Sequence, residues 1–407
     1  MVDIDSSEDI SGAANQEQHF LYRLAEGSAS LTHAIMMVSA SDLALRQVNK
    51  ATSDRLVIYH KSRALTLLNE AIQDVQSSGS LETLATAAVL ACHEVCQASF
   101  NLHHLPQAVP DRLQLVVSDY KAWTVHILGF SRMIGMNGGI NSLDRENPVR
   151  RLILWSDQVG ALFMNMRPLF PASAVFASSR SSLSQTLNHR ITKTYSRGGF
   201  EGLPSWERMQ AEGKLSENLL NIMEDIELVA FTGAQAILDT SGFSVDAMVD
   251  LRDFIIHRLL YLAPQSQDSD DEYSFEECAR LTMLLITLDR LFSPVLPGAY
   301  FQLTHMVADR LASVIANRDL VEDWAGHEWT ALWICFIGTS VSTNNPSTRS
   351  SFVGAGAPIC RALFRGPEDM DRGLEGSMRP YPRAPSLYGR ELFEAFVVDL
   401  KERVRAL

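Results

Sequence analysis

The stretch Leu219-Leu220-Asn221-Ile222-Met223-Glu224-Asp225-Ile226-Glu227-Leu228-Val229, continued by Gly233 and Ile237, decides the fold. Its apolar positions Leu219, Ile222, Ile226, Val229, Gly233 and Ile237 recur at steps of three and four. That spacing puts them on one face of a helix, where a strand would need a step of two. Glu224 and Asp225 between them read as the solvated face. The same period runs outward in both directions. Leu81, Leu84, Ala88 and Val95 make an earlier stripe. Leu281, Leu284, Leu288 and Leu291 make a later one, followed by Leu303, Met306, Val307, Arg310, Leu311 and Val314. Alternating patterns flanked by turn dipeptides are scarce, so the fold class read from the sequence is all-α.

Breakers separate the stripes. Asn137-Gly138-Gly139 follows the helical run from Trp123 to Met136, and residues of this kind adopt the left-handed conformation that ends a helix. Residues 172–200 are rich in Ser and carry Arg180, Arg190, Lys193 and Arg197 without an acid. They read as a linker, because four bases spread over that length make a poor phosphate-binding patch. A second linker is expected near 264–274. Asp268, Asp270, Asp271, Glu272, Glu276 and Glu277 there form a solvated acidic loop leading into a helix. A third is expected near 366–389, where Pro367, Pro380, Pro382 and Pro385 exclude helix interior. Beyond it, Leu392, Phe393, Phe396, Val397, Leu400 and Val404 mark a terminal helix that docks back on the domain. Residues 1–18 read as a disordered acidic tail, and 19–407 as one large helical domain.

Composition narrows the function classes. The 407 residues carry a formal net charge of -13, and a surface this acidic repels phosphate backbones. Direct binding of DNA or RNA is therefore not expected. The five cysteines, Cys92, Cys96, Cys278, Cys335 and Cys360, are odd in number and set in apolar helical contexts, as buried thiols in a reducing compartment would be. Asp3, Asp5, Glu8 and Asp9 head the chain with no base among them, unlike a secretory or mitochondrial signal. No apolar run reaches the ~20 residues of a membrane span. A soluble intracellular protein with no membrane partner is the expectation.

Candidate chemistry falls short at each motif. His327-Glu328-Trp329-Thr330-Ala331 resembles the start of a zinc-protease helix, but Ala331 stands where the second imidazole must be. Cys92, His93 and Cys96, with His103 and His104, could be imagined as a zinc site. Their spacing on an Ala- and Leu-rich helix suits buried small side chains better. Gly354-Ala355-Gly356 lacks the third glycine and the flanking strand of a dinucleotide site. Scattered histidines such as His305 read as structural residues. The chain is read as no enzyme, with no catalytic residue, no metal ligand and no cofactor. Trp155 lies near Phe163, and Trp324, Trp329 and Trp333 near Phe336; Trp329, Trp333 and Phe336 recur at helical spacing, so the aromatics read as core. The alternative is the lining of an apolar small-ligand pocket.

Three segments taken in order carry a family resemblance. The first is Tyr59 to Ile72 followed by the Ala- and Leu-rich run Leu81 to Cys96. The second is Trp123 to Ile134 ending in Gly138-Gly139, and the third is Arg151 to Asp157 running on to Phe170. Together they resemble the helical regulatory domain of fungal-specific transcription factors that carry a binuclear zinc cluster. The late segment Trp329 to Gly338 resembles that family's pattern too. The resemblance implies that His126, Gly129, Gly138, Gly139, Trp155, Asp157, Trp329 and Trp333 are family-motif residues with structural roles. Gly129 inside a helix costs ~1 kcal/mol unless a neighbouring helix needs close approach, and His126 would hold a partner across that contact. No cysteine precedes Cys92, so the zinc-cluster DNA-binding module is missing from the sequence. The implied fold is a superhelical array of packed helix pairs. The implied function is transcriptional regulation in the nucleus through transcription factors or co-regulators, as a hetero- or homodimer, with a small apolar ligand as a gate. A cytoplasmic location is the fallback. The alternative function is an enzyme or ligand-binding protein of a secondary-metabolic pathway on the same scaffold.

Overall fold

The computed structural model describes residues 20–45, 50–74, 77–104, 112–143, 147–171, 209, 211–238, 245–263, 275–290, 297–316, 318–364, 369–370, 374 and 390–406. The acidic tail and the basic strip at 172–200 lie outside them, and so does most of the expected linkers. Among the described residues there are helices and no strand, so the all-α reading is borne out. The backbone divides into two compact units, residues 1–175 and 176–407.

The first unit contains α1 (Ala29–Leu45), α2 (Lys50–Gln73), α3 (Leu81–His104), α4 (Arg112–Met136), a 3-10 turn (Ile140–Ser142) and α5 (Pro148–Met164). Every residue of α3 from Thr83 to Glu94 is buried. Such burial requires neighbours on all sides, and α1, α2, α4 and α5 each pack on α3. Local signals set the boundaries. Asn147 caps α5, its Oδ1 accepting from the Val149 N–H at 2.9 Å with Pro148 in the first turn. At the other end Asn165 takes the left-handed conformation, φ 52°. The expected glycine stop also holds. Gly138 and Gly139 have φ of 89° and 84°, and the Gly139 N–H donates to the Ile134 carbonyl at 2.9 Å to close α4.

The second unit contains α6 (Glu217–Leu238), α7 (Val245–Tyr261), α8 (Phe275–Arg290), α9 (Pro297–Ala316), the single turn α10 (Leu320–Asp323), α11 (Glu328–Val341), α12 (Pro346–Leu363) and α13 (Arg390–Ala406). Helix α11 is buried from Thr330 to Ser342 and packs on α8, α9, α12 and α13. Its close fit to α12 depends on Gly338. A Cβ built there would lie 2.4 Å from the Phe352 ring, inside any real contact distance. Helix α13 seats Phe396, Val397 and Leu400 against this pair, so the terminal helix docks as its apolar face requires.

Two acids depart from the sequence reading. Asp225, expected on a solvated face, is 2% exposed and accepts a charged hydrogen bond from Arg258 of α7. Glu277, expected in a solvated loop, is buried in the first turn of α8. There it accepts from Arg280 Nε and Nη2 at 2.6 and 2.7 Å. In both cases an arginine supplies the counter-charge that lets a carboxylate leave water. Glu224 is exposed as expected. No described helix is long and apolar enough to cross a membrane.

Candidate functional site

Polar groups of α3 bond to three of its neighbours in the first unit, α1, α2 and α5. Thr86 Oγ1 and Ser30 Oγ of α1 lie 3.2 Å apart. Glu94 receives Lys61 of α2, with Nζ 2.7 Å from Oε1. The Ala88 carbonyl accepts from Ser156 Oγ of α5 at 3.0 Å. His93 Nε2 and Ser41 Oγ of α1 are 2.7 Å apart, and Ser41 also donates to the Met37 carbonyl at 3.0 Å. Each bond replaces water that the packed helices exclude, which makes this shell of contacts specific as well as apolar.

Ser41 and His93 are the residues here closest to a nucleophile and its base. Their surroundings withhold the chemistry. Both are buried, His93 Nδ1 has no partner to orient the ring, and the adjacent Glu94 carboxylate is held by Lys61. Burial pushes the His93 pKa down to about 4, so the ring is neutral and a weak base near pH 7. Sequence reading missed this pair, since 52 residues separate the two and neither lies in a motif. At the surface of the same unit His33 and His60 tie α1 to α2 through Nδ1 atoms 2.8 Å apart. Among the described residues no group of three or more His, Cys, Asp or Glu could hold a metal ion. Cys92 is buried, and the Cys96 side chain lies outside the described residues. Cys278 and Cys360 are buried thiols pushed up to about 12 by desolvation, which keeps them protonated.

The family-motif residues have separable roles. Asp157 is 1% exposed, and its two oxygens accept the N–H groups of Leu169 at 3.0 Å and Phe170 at 2.8 Å. It thereby turns the chain after α5 and seats Phe170 edge-on against Phe130 of α4. Trp155, two residues earlier in α5, is half-buried. His126 is half-buried, and desolvation is the main cause that lowers its pKa. Gly129 departs from expectation. It is exposed, and a Cβ there would meet nothing within 4 Å. The close approach falls instead on Gly160 of α5, where a Cβ would sit 2.0 Å from the Trp123 ring. In the second unit His327 stands at the N-cap position of α11, its side chain bonding Glu212 at 2.7 Å and not the helix, while Ala331 is buried. Trp329 meets Phe364 edge-on and Trp333 is buried. Phe336 packs against Phe393 and Phe396, so the late aromatics fill the core with one another. Gly354 and Gly356 lie inside α12.

Two outcomes follow for the first unit. Replacing Gly160 by Ala forces a methyl into Trp123, which is 3% exposed and cannot swing away. A loss of about 1–3 kcal/mol is expected from urea denaturation. Gly129→Ala, made in open space, should instead gain up to about 1 kcal/mol. The second outcome concerns pH. Burial pushes the Asp157 pKa up to about 6 from 3.8, against the lowering by its two backbone bonds. Its contribution is therefore full below pH 3.8 and is lost as pH rises through 6. The His93 pKa is depressed, so its contribution is full above pH 6.5 and is lost as pH falls towards 4. Each is worth roughly 3 kcal/mol at its limit, with opposite sign. Thermal melts of the wild-type chain should be nearly flat between pH 4 and 6 from this pair. Asp157→Asn should melt progressively lower as the pH falls across that window, relative to wild type, and His93→Gln progressively higher.

Residues 6–155 match the model of a protein family, the fungal specific transcription factor domain. Neither the curated proteins nor the solved structures gave a match. The matched span takes in His126, Gly129, Gly138, Gly139 and Trp155, while Asp157, Trp329 and Trp333 lie beyond it. It covers α1 to α4, the start of α5 and the contacts of α3 with α1 and α2, and the resemblance carried by the sequence motifs stands there as a match to the fungal specific transcription factor domain family.

Proposed function

We propose that the chain is a transcriptional regulator that acts through protein partners, with the first unit as its docking part. The family match supports a regulatory role. What supports protein partners is the distribution of exposed apolar side chains. Among the described residues, Tyr22, Met36, Val38, Leu43, Leu56, Ile58, Tyr59, Ile72, Val125, Leu128, Met136 and Leu169 are the large exposed ones of the first unit, against Tyr261 and Val398 in the second. Exposed apolar side chains concentrated in one of the two units support a surface there that another macromolecule covers. Action in the nucleus belongs to the same reading.

The test is recovery of the tagged chain from its native cells, with nuclease treatment and mass spectrometry of what remains bound. Nuclease-resistant recovery of transcription factors or co-activator subunits is the expected result. Recovery of metabolic enzymes alone would sink the reading and turn attention to an enzyme or ligand-binding protein of a secondary-metabolic pathway.

A further inference from the structure

Helix α4 keeps two faces apart. Trp123, Ile127, Phe130, Met133 and Ile134 are buried towards the first unit. Val125, Leu128, Gly129, Arg132, Gly135 and Met136 are exposed, and their spacing of three, one, three, three and one lays them along a single stripe. Val125 is 69% exposed, Leu128 55% and Met136 68%, so the stripe presents large apolar groups to solvent. A soluble helix normally fills such positions with long polar side chains. Two of the remaining positions are glycine, and a Cβ on either would meet nothing within 4 Å. No neighbour in the described chain explains them. Glycine on a helix surface lowers helix stability and leaves the backbone bare, which lets a second helix approach closely.

Charge selects the occupant. Between Trp123 and Met136 the only charged side chain is Arg132, in a chain whose net charge is -13. A second copy is disfavoured. Symmetric pairing of the stripe would bring two Arg132 groups near each other, like charge against like charge with no carboxylate between them. A partner helix with an apolar stripe and a carboxylate beside Arg132 meets both requirements. We infer that the exposed face of α4 docks an acidic amphipathic helix of a partner protein, with Leu-sized side chains against Val125, Leu128 and Met136, close backbone approach at Gly129 and Gly135, and a carboxylate on Arg132. This deepens the partner-dependent reading and rests on it. Failure at α4 would leave the pull-down result standing, so the two can be told apart.

The probe is a fluorescein-labelled 18-residue model helix of Leu, Ala and Glu, with Leu at every third and fourth position. Its binding to the full chain is read by fluorescence anisotropy. Gly129→Gln fills the stripe while improving helix propensity, so it should melt at or above the wild-type temperature and yet weaken binding about tenfold or more. Arg132→Glu should weaken the Glu probe and strengthen the same helix with Lys in place of Glu. Unchanged binding by Gly129→Gln, or equal binding of the Glu and Lys probes to the wild-type chain, would overturn the proposal. So would a dimer in sedimentation velocity that Gly129→Gln dissociates, since the second copy would then be the occupant.

Discussion

Removal of residues 390–407 should abolish cooperative unfolding of the second unit. The deletion takes away α13, whose Phe396 and Leu400 are fully buried and whose Val397 is nearly so. Three such side chains contribute about 1.5–3 kcal/mol each on burial, which together approaches the 5–15 kcal/mol that holds a typical domain folded. The loss extends beyond α13 itself. Phe336 of α11 loses two aromatic neighbours, Phe393 and Phe396, at 5.7 and 5.6 Å. Leu400 Cδ2 lies 3.2 Å from where a Cβ on Gly356 would be, so a cavity opens against α12. Arg349 also loses Asp399, with the Nη2 distance at 2.6 Å, though this half-exposed pair adds little. Thermal melting followed by near-ultraviolet circular dichroism, with limited proteolysis of residues 209–364, would show the effect. Melting identical to that of the full chain would mean that α13 is an appendage.

Replacing Glu277 by Gln should cost nearly as much through one group. Arg280 is fully buried, and its Nε and Nη2 both donate to the Glu277 carboxylate while Nη1 reaches the Leu259 carbonyl at 3.3 Å. Arg310 faces the same region. Burial first and Arg280 second push its pKa down to about 10, and Glu277 opposes that shift. Glutamine keeps the shape and removes a negative charge that sits beside two cations. Breaking a buried pair from one side leaves its partner's charge uncompensated and costs roughly 3–5 kcal/mol. The expected reading is a lower urea midpoint at an unchanged m-value. The double replacement Glu277→Gln with Arg280→Met should recover a good part of that loss, because it removes the stranded cation too. If the double variant is as unstable as the sum of the singles, the charge argument fails and packing accounts for the effect.

The sequence alone determined the class of the fold and the places where its helices stop. Period 3.6 along Leu219 to Ile237 and its counterparts can be satisfied only by helices with a buried stripe. Gly138-Gly139 acts within five residues of itself, so that stop was legible without tertiary context. The family resemblance was legible for the same reason, since it rests on the order and spacing of helical motifs. Tertiary structure decided everything that depends on what lies across a helix. It buried Asp225 and Glu277 by bringing Arg258 and Arg280 to them, where the pattern had placed both acids in water. It assigned the close approach to Gly160 and left Gly129 open, although both glycines sit inside helices. It paired Ser41 with His93 across 52 residues. A helical period records which face of a segment is apolar, and nothing in it records which other segment will cover that face. That choice is made when helices distant in sequence pack, and only then do burial, charge pairing and bare glycine acquire their meaning.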